Sequence, residues 1–263
     1  MRFPGLFFFA NLLLLGCLHS PPTGAIVPIS KRLVRPIEAL ATRATSEELL
    51  QYEGFYVSYN KEWLIPNWVS YELTAEETSG PYSRKGKDFQ ADPEVHFLQA
   101  DGYDYRGSGW SRGHMAPAAD FKWSDKAIAE TFYYTNICPQ DVQLNNRYWN
   151  TLENKVRFWA NLFGSIYVVT GPIVDGHNTK RIGNHGVRVP DAFFKVILAS
   201  SEGRWTSIAF IMQNTPEPRQ LKDCATTVNE IETLSGFDLF YFLEDSIEEQ
   251  VESMLDYKTW RIY

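Results

Sequence analysis

Cysteine is scarce in this sequence, with three in 263 residues, and histidine nearly so, with five. Basic charge is also short: 25 Lys and Arg stand against 32 Asp and Glu, a net of −7. A protein that works by coating DNA is usually basic, so this balance argues against a tight nucleic-acid binder. It leaves room for an enzyme whose positive charge is local to one groove. Past residue 16 no stretch is apolar enough to cross a bilayer, and neither an internal repeat nor a low-complexity tract occurs. With 44% hydrophobic and 15% aromatic residues, a sizeable core is available and a single domain is expected.

The first 16 residues read as an export signal: Arg2 precedes an apolar stretch, 3–15, broken only by Asn11. Leu14-Leu15-Gly16-Cys17 also resembles a bacterial lipobox, in which Cys17 becomes a lipidated N-terminus anchored to a membrane; cleavage near Ala25 is the alternative. Both readings predict export, to the periplasm, the medium or a bacterial membrane surface. Residues 17–44 then form a tether and 45–263 the folded domain. In an oxidising compartment Cys138 and Cys224 are a candidate disulfide, the alternative being two buried free thiols.

Thr45-Ser46-Glu47-Glu48 has a capping-box pattern and predicts a short helix. Residues 54–60 and 68–74 read as strands joined by a turn at Pro66-Asn67, and 75–95 as loop. A helical turn or two is expected over 124–131. Residues 145–163 are helical by the spacing of Tyr148, Leu152, Trp159 and Phe163. A β-branched strand over 166–170 ends at Gly171-Pro172, and 192–198 pairs with 206–213 across a turn at Glu202-Gly203. A helix opening at Pro216 or Pro218 ends near Gly236, and Ser246 caps a last one running to about Leu255.

Four of the histidines give no catalytic signal: His19 falls in the tether, and His96, His177 and His185 lack partner spacing. His114 differs. It follows Tyr105-Arg-Gly-Ser-Gly-Trp-Ser-Arg112-Gly113, whose glycines let the backbone approach a ligand closely. Downstream, Asn145, Trp149, Glu153 and Arg157 recur every four residues. That spacing places an amide oxygen, a carboxylate and a guanidinium on one helix face. Alone, Glu153 and Arg157 would be an ordinary surface pair worth a few tenths of a kcal/mol.

Together these segments resemble the DNA/RNA non-specific endonucleases of the ββα-metal class. Ser111-Arg112-Gly113-His114 stands for the family's Asp-Arg-Gly-His, and Leu144-Asn145, Trp149 and Leu152-Glu153 match its helix. Further matches at Asn136, Pro139-Gln140, Thr170-Gly171-Pro172 and Phe193-Phe194-Lys195 extend the resemblance over roughly residues 50–215. It implies an α+β, ββα-metal (His-Me finger) fold with a central, mainly antiparallel sheet flanked by helices. It further implies hydrolysis of DNA and RNA with Mg²⁺, for which Mn²⁺ or another divalent cation can substitute, giving 5′-phosphate ends.

By the same resemblance His114 is the general base, Asn145 the metal ligand, and Glu153 the holder of the metal's waters. Arg112 and Arg157 take phosphate oxygens, as does a third cation from the loop before Phe89, either Arg84 or its rival Lys87. Gly113, Ser111 and Asn136 support the site, although Asn136 reads equally well as a turn former. Ser111 departs from the family's Asp, which bears on the level of activity without removing base or ligand. A homodimer is a candidate assembly. The rival readings are a narrower phosphodiesterase, such as an exonuclease, and a non-catalytic binding protein. Retention of His114, Asn145 and Glu153 counts against the latter, because binding alone needs no base.

Overall fold

A computed structural model describes residues 47–263 except 177–178 and 202. The export signal, the tether, Cys17, Thr45-Ser46, His177 and Glu202 therefore lie outside the described residues. The described residues begin with strands β1 (Glu47–Gln51), β2 (Tyr56–Asn60) and β3 (Ile65–Thr74), then a short helix α1 (Gly102–Tyr105). Strand β4 (Ser111–His114), helix α2 (Asp125–Glu130) and strand β5 (Ile137–Gln140) follow. A π-helical turn, Leu144–Trp149, runs into α3 (Asn150–Phe163). Next come β6 (Ser165–Ile173), β7 (Arg181–Ile182), β8 (Val187–Arg188), β9 (Ala192–Ser201) and β10 (Arg204–Gln213). The chain ends with α4 (Leu221–Cys224), β11 (Ala225–Thr226), α5 (Val228–Ser235) and α6 (Asp245–Glu252).

Seven strands form one antiparallel sheet in the order β1-β2-β3-β6-β9-β10-β11. Its two faces bury separate apolar clusters. One contains Trp149, Trp159, Phe193 and Phe210 under α3; the other contains Trp68, Phe194, Val228 and Val251 under α5 and α6. Because strand side chains alternate faces, Lys195, between Phe194 and Val196, points with Phe193 and Ile197 toward the α3 side. The small ladder β4–β5 packs on that same side, and with α3 it forms a ββα unit. The expected fold class is thus the one observed.

Several local expectations are corrected. Glu47 and Glu48 lie in β1, not a helix, and register with Asn60 and Tyr59 of β2; the tertiary ladder outweighs the local capping pattern. Pro66-Asn67 sits inside β3. The turn falls earlier, where the Asn60 side-chain oxygen accepts from the backbone of Glu62 and Trp63, both at 3.0 Å, and Leu64 takes φ 57°. Pro66 is tolerated beside a bulge at Ser58/Tyr59. Strand β6 runs through Gly171-Pro172 to Ile173: its pairing with β3 ends at Thr170, so the missing Pro172 N–H faces no neighbour there. The single helix expected up to Gly236 is split, because Ala225-Thr226 pair with Ala209 and Phe210 and Thr227 then caps α5. Gly236 does end that helix, at φ 72°.

The Cys138–Cys224 disulfide is not formed; both thiols are free. Cys138 is sealed in β5 against Gly113 of β4, whereas Cys224 closes α4 beside the large sheet. Burial pushes the Cys138 thiol well up.

Between α5 and α6, Glu232, Asp238 and Glu252 bring carboxylate oxygens within 4.8 Å of one another. Burial first, then repulsion from Glu232, Glu248 and Asp238, pushes the Glu252 carboxyl up to about 8. The folded value exceeds the unfolded one, about 4.3. This contribution to stability is therefore full below the unfolded value and lost as pH rises through about 8. Thermal melts should show Tm falling between about pH 5 and about pH 8.5, with Glu252→Gln a few degrees more stable at the upper end. An identical Tm for variant and parent at that pH would rule the cluster out as the cause.

Candidate active site

One cleft of about 1010 Å³ opens on the ββα unit, and Arg84, Arg112, His114, Asn145, Glu153 and Arg157 all line it. His114 closes β4 opposite Ile137. Gly113 has no room for a side chain, since a Cβ would lie 2.3 Å from Gln140 Oε1. Ser111 Oγ donates to the Gln140 carbonyl at 3.0 Å, tying the two strands at the rim. The segment after His114 is pinned by Asn136. Its side-chain oxygen accepts from Ala116 N at 2.9 Å, and its amide donates to the carbonyls of Ala116 at 2.9 Å and Thr131 at 2.8 Å. Asn136 is fully buried and supports the loop carrying the imidazole.

The His114 ring is held between Phe89 and Phe132, each with centroids 5.1 Å away. Arg112 lies over Phe89 at 4.5 Å and Arg84 over Phe132 at 5.6 Å. Burial, then the charges of Arg84 and Arg112, pushes the imidazole down to about 3, so it is neutral at physiological pH. Its Nε2 is buried and without a hydrogen-bond partner. An unpartnered buried ring nitrogen is costly unless something else requires it free.

The opposite wall comes from the π-helical turn. Its wider winding brings Asn145 and Asn146 into the cleft together with Asn150, Glu153 and Arg157. Trp149, placed by spacing on the same polar stripe, is instead buried, with its ring 4.9 Å from Lys195 Nζ. The ordinary Glu153–Arg157 surface pair, the alternative to a site role, is not what forms; Arg157 pairs with buried Asp120 instead. Arg157 Nη1 donates to Asp120 Oδ1 at 2.6 Å, while Tyr71 donates to Asp120 Oδ2 at 2.9 Å. Against the cost of burial, Asp120 holds Arg157 firmly protonated. Burial pushes the Glu153 carboxyl up to about 7, with Lys195 as the main opposing charge. Lys87 is corrected. It pairs with Asp125 at 2.7 Å in the first turn of α2 and does not line the cleft, which leaves Arg84 as the loop's cation there.

Spacing does not single out Asp120, Tyr71 or Lys195, although Lys195 falls within one of the matched segments. The signal available was a charged residue in an otherwise apolar stretch: Asp120 after Ala116-Pro-Ala-Ala119, and Lys195 amid Ala192-Phe-Phe and Val196-Ile-Leu.

The family described as DNA/RNA non-specific endonuclease matches residues 36–246. The chain belongs to the DNA/RNA non-specific endonuclease family. As a member of it, the chain is an enzyme of nucleic-acid hydrolysis from a group that depends on a divalent metal. Among relatives, Nuclease EXOG, mitochondrial, of Xenopus laevis is 32% identical over 90% of this chain and 70% of its own length. The Homo sapiens Nuclease EXOG is 36% identical over 79% of this chain, which spans 61% of that protein. Endonuclease G, mitochondrial, of Homo sapiens is 35% identical over 72% of this chain and 68% of its own length. A crystal structure of an EndoG/EndoGI complex superposes with a TM-score of 0.71 at 30% identity, covering 74% of this chain and 86% of that one. The mitochondrial names overturn the expectation of export to a bacterial envelope; a short apolar leader does not by itself specify a compartment.

The metal such a nuclease requires fits the residues present. A neutral amide oxygen on Asn145, the Glu153 carboxylate and an unpartnered imidazole nitrogen face one cleft. Oxygen donors with little charge suit a hydrated hard cation. A second group of candidate ligands, Asp101, Asp104 and His185, is already satisfied. Asp104 accepts from Asp101 N, His185 N and the His185 ring, at 2.9, 3.0 and 2.9 Å.

Proposed function

We propose that this chain is a sugar-non-specific nuclease that hydrolyses DNA and RNA phosphodiesters with Mg²⁺, leaving 5′-phosphate ends, and that it resides in mitochondria as its relatives' names say of them. The observation that carries the proposal is the free Nε2 of a neutral His114 in a cleft shared with Asn145 and Glu153. His114 takes the proton of the attacking water, for which a neutral imidazole is needed. Asn145 supplies the anchoring oxygen and Glu153 orients bound waters. A divalent ion held there supplies Lewis acidity to the phosphate. Arg112, Arg157 and Arg84 bind the phosphate oxygens and counter the charge that grows as the bond breaks. Local cations explain how a chain of net charge −7 handles a polyanion.

The test is incubation of the purified protein with supercoiled plasmid and with RNA. Both are expected to be degraded, EDTA to stop the reaction, and added Mg²⁺ to restore it. Degradation unaffected by EDTA would refute the metal-dependent reading. Degradation of linearised plasmid with the closed circle untouched would favour an exonuclease.

A further inference from the structure

Part of the cleft lining is not explained by phosphate chemistry. Tyr103 and Arg106 also line the cleft, on and just after the four-residue helix α1. Tyr103 is 72% exposed, while its neighbour Tyr105 is 6% exposed and belongs to the core. The Arg106 guanidinium lies 5.1 Å from the centre of the Tyr103 ring, yet the exposure shows that much of the ring is still open to solvent.

Such a short helix would ordinarily fray, but this one is fixed from both sides. Asp101 accepts from Tyr103 N at 2.7 Å and from Asp104 N at 3.2 Å, and Asp104 returns a bond to Asp101 N. Asp104, only 1% exposed, is locked to His185 through ring and backbone. Gly183 closes over it so tightly that a Cβ there would fall 2.1 Å from Asp104 Oδ1. The result is a solvent-facing aromatic ring, outside the apolar core, carried on an anchored support in the cleft lining. Prior rigidity lowers the entropy cost of binding a flat ligand.

We propose that Tyr103, backed by Arg106, is a stacking platform for an unpaired nucleobase of a strand bound in the cleft. This rests on the nuclease reading of the same cleft. Bases in a duplex already stack on one another and offer the ring no face without unpairing. In a single strand each base has an open π-face, and Arg adds a cation–π contribution. Stacking is indifferent to the sugar, so DNA and RNA strands are both accommodated.

The test compares Tyr103→Ala, Tyr103→Phe and the parent on four probes of equal length: single-stranded DNA, the same sequence as RNA, its DNA duplex, and a strand abasic throughout. Affinity is read by fluorescence anisotropy in EDTA, and KM and kcat with Mg²⁺. Tyr103→Ala is expected to weaken binding and raise KM for both single strands about tenfold, the size of one base–aromatic stack. The loss should shrink to under twofold on the duplex and the abasic strand. Tyr103→Phe should recover the single-strand affinity, because the ring and not the hydroxyl does the stacking. An equal loss on abasic and base-bearing strands, or none on either, overturns the platform. A parent protein that cleaves none of the probes refutes the nuclease reading instead, and the anisotropy data still decide whether Tyr103 recognises bases.

Discussion

His114→Ala should lower the rate of plasmid cleavage by ~10²–10⁴-fold, the usual contribution of a positioned general base. The imidazole is neutral, since burial and the Arg84 and Arg112 charges push it down to about 3. Its Nε2 has no competing partner, so the proton-accepting atom is available without breaking any bond. Other features of the cleft should survive the change. Arg84, Arg112 and Arg157 remain, so affinity for an uncleaved oligonucleotide should move little. The measurement is single-turnover cleavage beside a thermal melt. A folded variant that cuts at the parent rate would strike His114 from the mechanism.

A comparably large effect is expected one layer below. Asp120→Ala leaves Arg157, whose side chain is only 15% exposed, without the carboxylate that accepts its hydrogen bond at 2.6 Å. Removing one member of a buried pair costs about 3–5 kcal/mol. In a domain of this size that corresponds to a fall in Tm on the order of 10 °C. Activity should drop with it, because the guanidinium loses the geometry that Asp120 and Tyr71 together impose on it. A double-mutant cycle gives the decision. If Asp120 acts through Arg157, then Asp120→Ala in an Arg157→Ala background should cause much less further loss of activity and stability than in the parent. Losses that simply add would show that the two residues are independent.

The helix around residues 150–163 was legible because its apolar spacing is helical over several turns. The strands Ala192–Ser201 and Arg204–Gln213 were legible because both are long, buried and joined by a glycine-containing turn. Pattern failed where pairing partners decide the state. Glu47-Glu48 became strand by lining up with β2, and Ala225-Thr226 broke a helix by lining up with β10. Neither ladder can be seen within the local window that a capping or proline signal occupies.

The residues lining the cleft follow the same division. His114, Arg112, Asn145, Glu153 and Arg157 could be picked out because their types and intervals form an ordered pattern along the chain. Trp149 shared that interval and was misplaced, since a π-helical turn shifts the faces by one residue relative to regular α spacing. Lys87 and Arg84 could not be separated by sequence at all; an ion pair to Asp125, 38 positions away, withdrew one of them.

By itself, then, the sequence determined the family, the sheet-and-helix class and the identity of the chemical groups, because these depend on residue type and short-range order. Tertiary structure alone decided which charges are buried together, which cation reaches the cleft and which aromatic is left facing water. Those properties depend on contacts between Asp120 and Arg157, Asp125 and Lys87, and Asp104 and His185. The strength of such contacts is set by distance and burial in space, and position along the chain carries little of either.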